Sequence, residues 1–227
     1  LERDQWEARY AVAPEVSDRR TKAGKDQWHV FTTAAQGRTV IKRGDAEQVM
    51  AMGRSVLGHR SASALLAADG QPEDTFMWTD EATGLQCKCR PDYMHADGST
   101  IVDLKTTRDA SPRGFRHSVI QYRYHVQAAW YLHGDEQATG KRPERFVFVA
   151  VESSAPYASA VYEASAEMIE AGMIKAREDL ALLAECKLRD NWPSYSDDIQ
   201  SLTLPPWMLP GAGTGEPVTI PDNIEGF

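Results

Sequence analysis

The stretch that most restricts the fold is a hairpin signal: Ala96-Asp97-Gly98-Ser99 lies between two alternating or apolar runs, residues 85–91 and 101–104. Asp, Gly and Ser suit the backbone reversal of a tight turn, and apolar or alternating runs of this length read as strands. A second turn, Thr83-Gly84, separates an earlier run at 76–78 from the first of these. Three antiparallel strands are therefore expected, with 85–91 beside 101–104.

Helical spacing supplies most of the remainder. Residues 45–66 read as one helix with Asp45 as N-cap and Val49, Met52, Val56, Leu57 and Leu65 at roughly helical intervals. Residues 112–133 read as another, with Ile120, Tyr124, Gln127 and Tyr131 on one face by steps of 4, 3 and 4. A buried strand is expected at 146–151, a partner strand at 158–162, and a long amphipathic helix at 166–189, apolar at Ile169, Met173, Ala176, Leu180 and Leu183. Residues 13–28, with Pro14 and a charged run, read as an irregular connection. The chain opens at Leu1 inside a helical pattern marked by Trp6 and Tyr10, so an upstream segment is expected. After Pro193 the sequence turns to Pro, Gly and acidic residues. The expectation is one α/β domain over 1–210 and a C-terminal tail at 211–227.

A chain of 227 residues with 42% apolar content can bury a substantial core. No stretch approaches the roughly 20 apolar residues of a membrane span, and the start lacks the basic-then-apolar order of a signal peptide. A soluble, cytoplasmic protein with no membrane partner is expected. Three cysteines, two of them in Cys87-Lys-Cys89, do not build a disulfide framework, and reduced thiols fit. The net charge of -8 argues against a protein that coats nucleic acid. Local charge differs: Lys105, Arg108, Arg113, Arg116 and Arg123 face a single acid, Asp109, over residues 105–125, with His117 and His125 interleaved. An acidic body with one basic stretch suits a restricted nucleic-acid groove.

Chemistry concentrates at the hairpin. Arg90-Pro91-Asp92 is followed by ten residues and then Asp103-Leu104-Lys105. Adjacent antiparallel strands would bring Asp92 near Asp103, and Lys105, two residues on, projects from the same face. Hard cations such as Mg²⁺ prefer carboxylate oxygens, and the Leu104 carbonyl is a further candidate ligand. A cation there would acidify water and polarise a phosphate, while Lys105 orients or deprotonates the water or neutralises developing charge. Alone, an Asp, a gap and Asp-X-Lys is a weak pattern. The hairpin, the preceding Pro91, the apolar pair Ile101-Val102 and the basic segment beyond strengthen it.

These residues resemble the PD-(D/E)XK nuclease superfamily and, within it, phage and prophage exonucleases of the RecE type. The resemblance rests on Cys87-Lys-Cys-Arg-Pro-Asp92, Asp103-Leu-Lys-Thr-Thr107, Tyr124-His-Val-Gln127-Ala-Ala-Trp-Tyr131 and Leu202-Thr-Leu-Pro-Pro-Trp207, with Val12-Ala-Pro and Asp18-Arg-Arg-Thr-Lys-Ala-Gly24 in support. It implies a central mixed β-sheet flanked by helices, as in restriction endonucleases. It also implies Mg²⁺-dependent 5′ to 3′ degradation of one strand of linear double-stranded DNA, with Mn²⁺ as a substitute ion. Mononucleotides would leave a homo-oligomeric ring, trimer or tetramer, and the surviving 3′ strand would pass to a single-strand annealing protein for recombination. By analogy Asp92 and Asp103 are metal ligands, Lys105 is the catalytic lysine, and Gln127 with Tyr131 forms the Gln-X-X-X-Tyr element. The His that relatives place before a Leu-Glu pair would lie upstream of Leu1, with Glu2 as a candidate stand-in. Two rivals remain open: a structure-specific or restriction-type endonuclease with the same metal site, and a non-catalytic DNA-binding protein of this fold.

Other residues divide between roles. Thr106, Thr107, Arg108, Arg113, Arg116, His117 and Arg123 are candidate DNA contacts, weighed against a strand end and solvated helix charges. Glu81 and Lys88 flank the first hairpin and suit either a DNA channel or exposed charge. Cys87, Cys89 and His95 have poor spacing for zinc and lack an evident fourth ligand, so core cysteines are the better reading. His59 reads as a helix cap, and Trp130, Trp192 and Trp207 as packing.

Overall fold

The computed structural model describes residues 5–15, 20–205 and 208. In chain order it contains α1 (Trp6–Arg9), β1 (Tyr10–Val12), α2 (Lys22–Ala34), β2 (Thr39–Ile41), α3 (Arg43–Gly58), α4 (Arg60–Ala67), β3 (Gly70–Pro72), β4 (Phe76–Thr79), β5 (Gln86–Cys89), β6 (Tyr93–His95), β7 (Thr100–Thr107), α5 (Pro112–Gln121), α6 (Tyr124–Thr139), β8 (Arg145–Glu152), β9 (Ser159–Glu163) and α7 (Ala166–Arg189). The chain divides into two compact units, residues 1–185 and 186–227. The first contains every strand. Beyond α7, residues 191–205 form neither helix nor strand. No helix among the described residues is long and apolar enough to cross a membrane.

The central sheet has the order β3-β6-β7-β8-β9. β7 runs parallel to β8 and every other pairing is antiparallel, so the sheet is mixed. The turn expected at 96–99 is present and closes a β6–β7 hairpin: Gly98 has φ 69°, a conformation that suits glycine, and Asp97 Oδ1 accepts the Ser99 N–H at 2.8 Å. Each face of the sheet has its own core. On one, Ile101, Phe146, Phe148 and Ala150 pack with Phe115 of α5 and Ala128 and Leu132 of α6. On the other, Val102, Val149 and Val151 pack with Val56 of α3 and Ala62 of α4. This is the α/β architecture anticipated, a mixed sheet with helices on both faces. α7 approaches α6 so closely that a Cβ at Gly172 would collide with the His125 carbonyl.

The strand block differs from expectation in its pairing. β5 pairs with β4 in a separate two-stranded sheet, and β6 takes the place beside β7. Pro91 explains the change: it has no N–H for a ladder, and its fully buried ring ends the first hairpin before the chain enters β6. The helix expected at 45–66 is two helices, broken where His59 adopts ψ 117° and its Nδ1 caps α4 by accepting the Ala62 N–H at 3.3 Å. The helix expected at 112–133 is also two, because Arg123 is left-handed at φ 57°. That break removes Ile120 from the shared face and leaves it 66% exposed. Part of the stretch read as irregular is α2, whose first turn is capped by the Thr21 hydroxyl accepting from Gly24 N at 3.1 Å. Glu2, Asp18, Trp207 and the tail at 211–227 lie outside the described residues.

Candidate active site

Alternation along β7 sends Ile101, Asp103 and Lys105 to one face. Ile101 is core, Asp103 is 1% exposed, and the Lys105 side chain is 15% exposed, so the strand carries its polar residues outward from the packed centre. Tyr93 pairs with Val102, and one further step of that register sets Asp92 opposite Asp103. The backbone N–H of Leu104 confirms the approach by donating to Asp92 Oδ2 at 2.7 Å. Asp103 Oδ1 accepts from Gln127 Nε2 at 3.0 Å, and Lys105 Nζ stands 2.5 Å from Asp103 Oδ2. Asp92, Asp103, Lys105 and Gln127 therefore converge, carried by the residue just before β6, the middle of β7 and the first turn of α6.

Burial raises the Asp103 carboxyl to a pKa of about 6, the Asp92 charge adds to the rise, and Lys105 and Gln127 oppose it. Burial also raises the Tyr131 phenol, with hydrogen bonding to Gln127 opposing and the Asp103 and Asp92 charges adding. Tyr131 thus lies beside the group, one helical turn beyond Gln127.

The donor set fits a hard divalent cation. Asp103 Oδ2 is buried, with the Lys105 ammonium 2.5 Å away. A strand residue's N–H and C=O leave the same edge, so the Leu104 carbonyl faces the side where β7 has run past its pairing with β6. Two carboxylates and one carbonyl are the oxygen ligands that Mg²⁺ accepts while retaining waters. Among the described residues no cluster of three or more His, Cys, Asp or Glu forms a metal site, so a third carboxylate is not supplied there.

The basic candidates are more dispersed. Thr106, Arg108, Arg113, Arg116 and His117 are exposed on the end of β7, the loop after it and α5. Thr107 is buried, and its hydroxyl is used internally, 3.2 Å from the Asp109 carbonyl and 3.3 Å from the Ser118 hydroxyl. Arg123 pairs with Asp179 of α7 at 2.6 Å. Cys87 and Cys89 are buried with Trp78 and Leu180, and burial pushes the Cys89 thiol up to about 12, so it stays protonated. His95 Nε2 lies 2.9 Å from the Leu65 carbonyl. Sequence reasoning gave Tyr124 a place on the Gln127 face but no role. Its ring lies under Lys105, with Nζ 4.6 Å from the centroid, and the i, i+3 spacing to Gln127 was the available signal.

A mixed sheet in which a post-proline Asp meets an Asp-X-Lys across a hairpin defines a PD-(D/E)XK nuclease core, and the molecule is a member of that superfamily. Residues 13–205 match the family model described as PDDEXK-like domain of unknown function (DUF3799), and the chain belongs to that family. Among solved structures it resembles a “Putative exonuclease” from Eubacterium rectale, with TM-score 0.57, 14% identity, and coverage of 80% of this chain and 72% of that one. It matches an alkaline exonuclease from Laribacter hongkongensis at TM-score 0.32 and 16% identity, over 82% of this chain and 96% of that one. No curated protein matches it.

Proposed function

We propose that the chain is a magnesium-dependent deoxyribonuclease that degrades one strand of linear double-stranded DNA from the 5′ end. The observation that carries this reading is the buried Asp103 carboxylate, shared between Gln127 at Oδ1 and Lys105 at Oδ2, directly beside Asp92. A structural ion pair has no need of a second carboxylate at its side. A cation-binding phosphodiesterase site does. The family and the exonuclease-named fold relative from Eubacterium rectale support the same reading.

Asp92, Asp103 and the Leu104 carbonyl would hold Mg²⁺, or Mn²⁺ in its place, and the ion would supply Lewis acidity toward water and phosphate. The chain's own residues do the rest. Gln127 fixes the Asp103 rotamer through Oδ1, leaving Oδ2 directed at the site. Lys105 places an ammonium where charge grows on the phosphoryl oxygens, and Tyr124 supports it from below. Exposed Arg108, Arg113, Arg116 and His117, with Thr106, are the residues to follow the DNA backbone. The wider reading includes a homo-oligomeric ring, trimer or tetramer, and delivery of the 3′ strand to a single-strand annealing protein.

Linear duplexes labelled at either end, digested with Mg²⁺ and with chelator, test the proposal. Mg²⁺-dependent release of 5′ label first, with closed circular DNA left intact, is the expected result. Release from the 3′ end first contradicts the polarity, and nicking of the circle identifies an endonuclease.

A further inference from the structure

We infer that Tyr122 is a stacking platform for an unpaired nucleobase next to the scissile phosphate, an inference that rests on the nuclease reading of the Asp92–Asp103–Lys105 site. Tyr122 occupies the two-residue joint between α5 and α6 and is 59% exposed. Its ring stacks on Tyr124, with centroids 5.6 Å apart and planes at 30°, and the Tyr124 ring in turn lies 4.6 Å from Lys105 Nζ. The outer ring is therefore within roughly 10 Å of the catalytic ammonium. Successive bases of one stacked DNA strand are about 3.4 Å apart along the helix axis, so roughly 10 Å from the phosphate at Lys105 to this ring spans about three nucleotide steps, and fewer in an unstacked strand.

The backbone is bent to place it there. Arg123 between the two tyrosines is left-handed, φ 57°, a conformation that is strained for a non-glycine residue and persists where the surroundings impose it. The Arg123–Asp179 pair ties that joint to α7. Phe115 and Phe148 back the inner ring at 6.1 and 6.0 Å, so Tyr124 is held on its inner side and Tyr122 presents the outer surface. An aromatic face beside exposed arginines of α5 is the combination that single-stranded nucleic acid uses, the rings taking bases and the charges taking phosphates. The ligand is an unstacked base of DNA, bound without hydrogen-bond readout and so with little sequence preference.

The full chain, Tyr122→Ala and Tyr122→Phe are compared on duplexes carrying 2-aminopurine at the two 5′-terminal positions. Binding is read by fluorescence in Ca²⁺ and hydrolysis by kcat/KM in Mg²⁺. Stacking predicts quenching in the wild type, its retention in Tyr122→Phe, which keeps the ring, and its loss in Tyr122→Ala. It also predicts about a tenfold fall in kcat/KM for Tyr122→Ala on normal ends, absent on duplexes made abasic at those two positions. Quenching that survives in Tyr122→Ala, or an equal fall on normal and abasic ends, overturns the platform while leaving the nuclease reading intact. Quenching that follows the ring in a wild type without Mg²⁺-dependent hydrolysis supports the platform and overturns the nuclease reading. A wild type that neither quenches nor hydrolyses overturns both.

Discussion

The two faces of β7 follow different rules although they share one backbone. The face bearing Val102 and Leu104 is apolar and packs on Val56, Ala62, Val149 and Val151. The other begins the same way with Ile101 and then buries Asp103 and half-buries Lys105. Burying an ionisable pair costs desolvation that its attraction only partly offsets, so apolar residues at 103 and 105 would be at least as stable. One face is built for packing, and the other carries polar groups that work against it. Substitutions on the two faces should therefore separate stability from activity in opposite senses.

The largest effect is expected on the polar face. Asp103→Asn and Lys105→Ala should each lower kcat/KM on linear duplex DNA by about a thousandfold, near 4 kcal/mol of transition-state stabilisation. Asp103→Asn should nonetheless unfold at equal or higher urea concentration than the parent in chelator at pH 7.5, because a desolvated charge has gone. A destabilised Asp103→Asn would mean that Asp103 is structural and would erase the distinction. The apolar face should behave in reverse. Val102→Ala removes two buried methyl groups and should cost about 2 to 3 kcal/mol in urea unfolding, with kcat/KM of the folded fraction unchanged.

Titration sharpens the contrast without changing any packed atom. Asp103 has a folded pKa of about 6 against an ordinary value of 3.8, so its charged form is disfavoured in the native state. Its contribution to the stability of the metal-free chain is complete below the lower value and is lost as pH rises through the upper one. Urea unfolding in chelator should show a loss of about 2 kcal/mol between pH 4.5 and 7.5, absent in Asp103→Asn. An identical slope in both proteins would place the titrating group elsewhere.

What the sequence revealed and what it hid follow from range. The turn before β7 and the shared face of Asp103 and Lys105 were legible because a turn and a period-2 pattern are local. Asp92 was legible through a pairing that proved to be with β6 instead of β5; the fully buried Pro91 redirects the chain, and propensity carries no sign of where it goes. The helix break at His59 had a local sign in Gly58 and in the reading of His59 as a cap. The break at Arg123 falls on a residue with neither Gly nor Pro beside it, so only tertiary packing marks it. The break at Arg123 matters most for the site. It keeps Tyr124, Gln127 and Tyr131 together on α6 while turning Ile120 away, and it brings Tyr122 against Tyr124. β1 and β2, three residues each, pair in parallel across a long sequence interval that no short motif announces.

Gln127 offers the finest test of the polar face, because it touches the carboxylate without adding charge. Its Nε2 donates to Asp103 Oδ1 at 3.0 Å and opposes the effect of burial on that carboxyl. Gln127→Ala removes the donor, so Asp103 should hold its proton to higher pH and its rotamer should loosen. The expected outcome is a loss of kcat near tenfold at pH 7.5, with the acid limb of the pH profile displaced upward, and a smaller loss at pH 9 where the carboxylate is ionised in either protein. A pH-independent loss would assign Gln127 to holding DNA, since a contact to the substrate is removed equally at every pH. The shape of that profile therefore distinguishes a residue that acts through Asp103 from one that acts on the nucleic acid.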